Sequence, residues 1–214
     1  MTINDILYLD IPANFGTDEN YEITGEISYV MDQLDDTVKT AWGVSQFVII
    51  SNDWEEVIKI PFAGGYFYYD DDDEDADFEE WNKDYCQYSL DLYNKACTEK
   101  IDPIFAKMRF VGTAINGAKI YAQEKIMIDH ASSKIEYSED SLNKVKNKQK
   151  NRVAGWGRFK RCWLAAAIDC YGEEVVNNFI KFCYDNDISD THEYNYGYRK
   201  DGSPVIFDYG SFDE

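Results

Sequence analysis

Apolar residues in this chain recur at helical spacing, at alternate positions and in short unbroken runs, and each pattern predicts a different element. Residues 1–25 mix short apolar pieces with Asp, Asn and Gly, and read as a loosely packed opening strand or loop. Ile27, Val30, Met31, Leu34 and Val38 then share one helical face, which predicts a helix over 26–39. Phe47–Ile50 and Val57–Ile60, separated by Ser51-Asn52-Asp53, predict a hairpin of two buried strands. Tyr85, Tyr88, Leu92 and Ala96 place a second helix over about residues 80–98. Lys107–Ala114 and Ala118–Ile126 predict another strand pair, turned by Asn116-Gly117, a dipeptide suited to the positive φ angles of a tight hairpin. Phe159–Tyr171 and the stripe Val176, Phe179, Ile180, Cys183 predict two further helices. A last hairpin is expected at Tyr196–Tyr198 and Val205–Phe207, around Asp201-Gly202.

Two polar stretches interrupt this order. Asp70–Asp75 is an unbroken acidic run, expected to be a solvated loop. From Asp129 to Val153 the apolar content falls and Lys144, Lys146, Lys148, Lys150 and Arg152 accumulate, as in a linker or mobile helix. That stretch divides the chain into regions 1–126 and 127–214.

Composition narrows the function classes. With 41 acidic against 21 basic residues the formal charge is −20, which repels nucleic acid phosphates and excludes direct nucleic acid binding as the expectation. No apolar run reaches membrane-span length, and the first residues lack a basic segment followed by an apolar one, so neither a membrane span nor a signal peptide is expected. Five cysteines without a C-x-x-C pair, and only two histidines, argue against structural zinc and for a reduced, cytoplasmic setting.

Candidate chemistry gathers in Asp190–Asn195 and Asp208. An Asp and an Asn on one side of a hairpin can share a hard cation through oxygen ligands, as a magnesium–phosphate site requires. Lys59 sits inside an apolar strand, where its amine must reach water or an anion. Asp185–Asp190 begins like a calcium loop, but the sixth position is not glycine and the twelfth is Tyr196 rather than glutamate. No Walker A sequence, G-x-S-x-G, H-E-x-x-H or dinucleotide fingerprint occurs, and Gly64-Gly65 reads as a turn.

These residues, in this order, resemble a protein-kinase-like chain of the aminoglycoside-phosphotransferase-like branch. Asp190-x-His192-x-x-Asn195 matches the D-x-H-x-x-N catalytic loop, Asp208-Tyr209-Gly210 resembles D-F-G, and Val57-Ile58-Lys59-Ile60 resembles the V-A-I-K strand. Gln123-Glu124-Lys125 stands where such proteins have the adenine-binding hinge. The resemblance covers roughly residues 40–210. It implies an α+β fold with a β-rich N-lobe containing one packed helix, and a short, mostly helical, truncated C-lobe.

It also implies ATP or another nucleotide with magnesium as cofactors. Lys59 would hold phosphates, Asn195 and Asp208 would hold the metal, and Asp190 would accept the proton of the attacking hydroxyl. His192 would contact a phosphate or brace the loop. Gly43 and Ser45 are what remains of the glycine-rich loop, and Asp84 and Asp91 are the acidic candidates to pair Lys59. The sequence ends four residues past Gly210, which implies that the activation segment and later helices are missing.

Three functions follow. The first is a non-catalytic, pseudokinase-type protein that acts by binding a partner, such as a phage inhibitor of a host defence system of the anti-CRISPR kind. The second is a small ATP- and magnesium-dependent phosphotransferase. The third is an acidic DNA mimic that competes for a basic nucleic-acid-binding protein without binding nucleotide.

Overall fold

The structure is a computed structural model that describes residues 1–16, 23–43, 45–63, 65–67, 79–81, 84–127 and 136–209. The architecture is α+β, and the chain divides into two compact units. The first comprises residues 1–90 and 108–123, the second 91–107 and 124–214.

The first unit opens with a 3-10 helix, Ile3–Tyr8, rather than a loose strand or loop. Ile3, Ile6 and Leu9 recur every third residue, which is the 3-10 period, and Ile6, Leu9, Ile11 and Phe15 are buried. The segment is therefore core. Phe15 meets Phe47 and Phe62 edge-on at 5.5 and 5.4 Å. Helix α1 spans Gly25–Met31, with the Thr24 hydroxyl accepting the Ile27 amide at its start. It stops well short of the predicted residue 39. Asp35 accepts the Thr37 amide at 2.9 Å and turns the chain, so Val38 opens a strand instead of completing the helical stripe.

That strand, β1 (Val38–Trp42), leads into β2 (Gln46–Ser51) and β3 (Glu56–Pro61). β1 was not foreseen, whereas the β2–β3 hairpin was; Phe47 faces Ile60 and Ile49 faces Ile58. A small strand pair follows, β4 (Gly65–Phe67) with β5 (Glu79–Trp81). Helix α2 spans Tyr85–Glu99. The hairpin β6 (Met108–Thr113) and β7 (Lys119–Glu124) turns at Gly117, whose φ of 99° suits glycine. The five main strands form one sheet in the order β1-β2-β3-β7-β6. Its alternating Phe47, Ile49, Ile58, Ile60, Ile120 and Ala122 pack against the N-terminal segment and α1.

The second unit holds α3 (Glu139–Lys150), α4 (Arg161–Tyr171), α5 (Glu173–Asp185) and the hairpin β8 (Tyr196–Tyr198) with β9 (Pro204–Ile206). The Lys-rich stretch read as a linker or mobile helix is, from Ser138 onwards, a packed and capped helix. Ser141 and Val145 are buried, acidic residues occupy its first turn and lysines its last, as the helix dipole favours. Lys144 pairs with Asp140 at 2.8 Å, and Lys148 pairs with Glu173 at 3.1 Å while lying 4.6 Å over the Trp156 ring. The lysines that suggested mobility form a solvent face over a buried stripe.

Asp169 on α4 closes the start of α3, accepting the Ser138 amide, the Ser138 hydroxyl at 2.8 Å and the Ser141 hydroxyl. Burial opposes its charge, but these hydrogen bonds outweigh burial and hold its pKa below the ordinary carboxylate value. A depressed folded pKa means that this stabilisation is present above the unfolded value and is lost as pH falls through the folded one. Asp169→Asn is expected to lower stability by about 1 kcal/mol at pH 7, the usual scale of a helix cap. In urea unfolding the gap from wild type should close below about pH 4. A gap unchanged at pH 3 would remove the carboxylate from the explanation.

Candidate active site

The second unit carries three of the candidate residues, Asp190, His192 and Asn195, on one short loop. Helix α5 ends at Asp185, Asp187 turns the chain with a φ of 49°, and the fully buried Ile188 donates its amide to the Cys183 carbonyl. Arg158 braces the loop from the other side. Its guanidinium donates to the Ile188 carbonyl at 3.1 Å, and its own carbonyl accepts the Thr191 hydroxyl at 3.3 Å. Lys160 pairs with Glu193 farther along.

Within the loop, Asn195 is the junction. It is only 5% exposed, its Nδ2 donates to the Asp190 carbonyl at 2.7 Å, and its amide donates to the His192 carbonyl at 3.0 Å. Its own carbonyl accepts the Phe207 and Asp208 amides at 2.9 and 3.2 Å. Residues 13 apart in sequence, Asn195 and Asp208, are thus one backbone hydrogen bond apart in space. With Nδ2 engaged by Asp190, Oδ1 is the atom of Asn195 left for a cation. His192 contributes both ring nitrogens to the same loop: Nε2 lies 3.1 Å from Asp190 Oδ1, and Nδ1 accepts the Tyr194 amide at 3.2 Å.

The hairpin that delivers Asp208 is held on both sides. Met127 exchanges both backbone hydrogen bonds with Tyr198, and the Ala106 amide donates to the Ile206 carbonyl at 2.8 Å. Gly197 has to be glycine for this approach, because a Cβ there would stand 2.5 Å from the Met127 carbonyl oxygen. Trp163 donates its indole N–H to the Gly197 carbonyl and packs on Phe159, Phe179 and Tyr196. The Asp201-Gly202 turn is present as expected, with Gly202 at a φ of 86° and Asp201 accepting the Ser203 amide and hydroxyl.

Lys59 belongs to the first unit. It lies on β3 opposite Val48, 6% exposed, and among the described residues no carboxylate pairs with its amine. Of its candidate partners, Asp84 instead accepts Lys119 at 3.0 Å, the Tyr121 hydroxyl at 2.7 Å and the Gln87 amide, while Asp91 falls in the second unit. Gly43 and Ser45 flank the β1–β2 turn. The Gly43 amide donates to the Gln46 carbonyl, and the Ser45 carbonyl accepts the Phe62 amide. Gln123 is 1% exposed opposite Met108. The Glu124 amide donates to the Lys107 carbonyl, so that N–H is not free for a base; Lys125, the next residue, is half-buried. A cleft of ≈ 420 Å³ in the first unit, walled by Ile11, Phe15 and Phe62, is lined by Asp84 but by none of the candidate phosphate- or metal-binding residues. The acidic run Asp70–Asp75 and Gly210 lie outside the described residues.

Two residues to which the sequence reading assigned no role of their own organise the second unit. The Arg199 guanidinium joins Glu124, Pro103, Phe105 and Tyr171. Tyr209 is a buried ring whose hydroxyl donates to the Ala106 carbonyl at 3.0 Å. Only the polar character of Arg199 next to a strand signalled the first, and the aromatic of D-Y-G signalled the second.

Among the described residues no group of three or more His, Cys, Asp or Glu side chains could hold a metal by itself. Asn195 Oδ1 and Asp208 are hard oxygen donors, too few for an all-protein cage. They suit magnesium, which keeps waters and takes phosphate oxygens beside one or two protein ligands. Comparison with protein-family models and with curated protein sequences finds no match.

Proposed function

We propose that the chain is a kinase-like protein that binds a magnesium–nucleotide complex at the Asp190–Asn195 loop and Asp208. The observation that carries this reading is the double engagement of Asn195, which ties the Asp190 backbone to one side and the Asp208 backbone to the other. Asn195 Oδ1 and Asp208 would hold the metal, whose charge offsets that of the phosphates against a chain of net charge −20. Asp190 would accept the proton of an attacking hydroxyl. Element order supports the same reading: the buried Lys59 on β3 is followed by α2 and then by a hairpin whose second strand, β7, neighbours β3. That order is the one the resemblance implies.

Thermal melting tests it. A ligand that binds only the folded state at 100 times its Kd stabilises by about 2.7 kcal/mol. For a chain of this size that is a rise in Tm of roughly 5–10 °C. The rise is expected with Mg-ATP, absent with ATP plus EDTA, and absent in Asp208→Asn. An unchanged Tm in saturating Mg-ATP and Mg-GTP sinks the reading.

The net charge of −20 favours a second function alongside this one, docking on a basic protein. Such docking must weaken steeply with salt, and affinity independent of ionic strength would exclude it.

A further inference from the structure

The sequence leaves His192 two roles, phosphate ligand or loop brace. The ring contacts select neither in its simple form. Nδ1 accepts the Tyr194 amide, so in the neutral ring Nε2 carries the hydrogen. Nε2 itself lies 3.1 Å from Asp190 Oδ1, within ion-pair distance. Both nitrogens are therefore engaged within the loop, and neither is left for a phosphate. Asp190 Oδ1 is held, while Oδ2 takes no hydrogen bond among the described residues.

We propose that His192 is a positioning residue for Asp190, one that fixes the carboxylate rotamer so that Oδ2 meets the attacking hydroxyl. The proposal rests on the kinase-like reading above. With water as the acceptor, the step runs as follows. The water oxygen bonds to the γ-phosphorus, the bond from that phosphorus to the β–γ bridging oxygen breaks, and ADP leaves with the electron pair. The water proton passes to Asp190 Oδ2, and the products are ADP and inorganic phosphate. The Asp190 backbone is already fixed by Asn195 Nδ2 at 2.7 Å. Side-chain rotation is the freedom that remains, and the imidazole removes it. A carboxylate free to rotate spends less time in a productive geometry, which lowers the rate without altering nucleotide affinity. The side chains of His192 and Asp190 are 53% and 39% exposed, so their contact adds little to folding and can be removed cleanly.

The decisive comparison is between two amides. His192→Asn places an oxygen where Nδ1 accepts Tyr194 but stops short of Asp190, whereas His192→Gln carries a donor to the place of Nε2. Both variants should keep wild-type melting and the full Mg-ATP rise in Tm. Slow Mg-ATP hydrolysis, with Asp190→Asn as the zero, should fall about 10–100-fold in kcat at unchanged KM for His192→Asn. It should return to within about threefold of wild type for His192→Gln. A His192→Asn as fast as wild type overturns the proposal, as does a change confined to KM, which would mark a phosphate ligand. A His192→Gln no better than His192→Asn also overturns it. The chain has only two histidines, so in a His130→Gln background one ring remains for nitrogen NMR. The Nε2–H tautomer is expected, and the Nδ1–H tautomer overturns the assignment. A wild type that shows the Mg-ATP rise but no hydrolysis above Asp190→Asn overturns the positioning role and leaves nucleotide binding standing. Absence of the rise itself removes both.

Discussion

Arg199→Ala is expected to lower the stability of the folded chain by about 3–5 kcal/mol, the scale for removing one partner of a largely buried charge pair. The reason is a complete set of bonds. A guanidinium has five N–H groups, and all are engaged: Nε and Nη2 with the two Glu124 oxygens at 2.8 and 3.0 Å, Nη2 with the Phe105 carbonyl at 2.9 Å, and Nη1 with the Pro103 carbonyl at 2.7 Å and the Tyr171 hydroxyl at 3.1 Å. The side chains of Arg199 and Glu124 are 18% and 24% exposed, so water replaces the lost donors only in part and the loss falls toward the lower end of that range. Arg199→Lys keeps the charge without the planar fork and should recover less than half of it. Urea unfolding reads both as shifts in midpoint at constant slope. A loss under about 1 kcal/mol for alanine would mean that water satisfies the carbonyls and the bond set contributes little. The same contacts occupy Glu124, whose carboxylate faces Arg199 and whose amide pairs with Lys107.

What the sequence discloses here follows from the range of the forces involved. The hairpins at Asn116-Gly117 and Asp201-Gly202 were legible because glycine at a positive φ decides a turn within four residues. Helix α5 was legible because it buries one stripe, and α4 because its unbroken apolar run Trp163–Ile168 is buried on all sides. The failures share the opposite property. Val38 continues the α1 stripe in sequence, yet pairing with Ser51 thirteen residues away makes it a strand. The lysines of α3 look mobile until Glu173, Asn177 and Trp156 are brought to Lys148 from other elements. The candidate site divides in the same way. Asp190, His192 and Asn195 bond within six residues, so their motif can be read locally. Arg199 meets Glu124 across 75 residues and Tyr209 meets Ala106 across 103, and no local pattern encodes either pairing.

Tyr209 joins the candidate metal site to the core, and its variants should separate packing from hydrogen bonding. The ring is 1% exposed and stands edge-on to Phe105 at 5.1 Å, while Phe105 in turn meets Phe179 and Phe182. Tyr209→Ala empties a fully buried site and is expected to cost about 3–5 kcal/mol, as large-to-small aromatic changes do in cores. Tyr209→Phe keeps the ring and leaves the buried Ala106 carbonyl without its donor, an expected loss of about 1–2 kcal/mol. Asp208 immediately precedes this ring. Its amide is tied to the Asn195 carbonyl and its following residue to the core, so the Asp208 backbone is fixed from both ends. Tyr209→Phe preserves both ties and should keep the full Mg-ATP rise in Tm. Tyr209→Ala keeps only one, and nucleotide must then also order the Asp208 backbone, so its rise should be smaller even where the variant is still folded. Equal losses of stability in the two variants would assign the effect to the hydroxyl alone. An undiminished Mg-ATP rise in Tyr209→Ala would show that the Asn195 tie suffices to place Asp208.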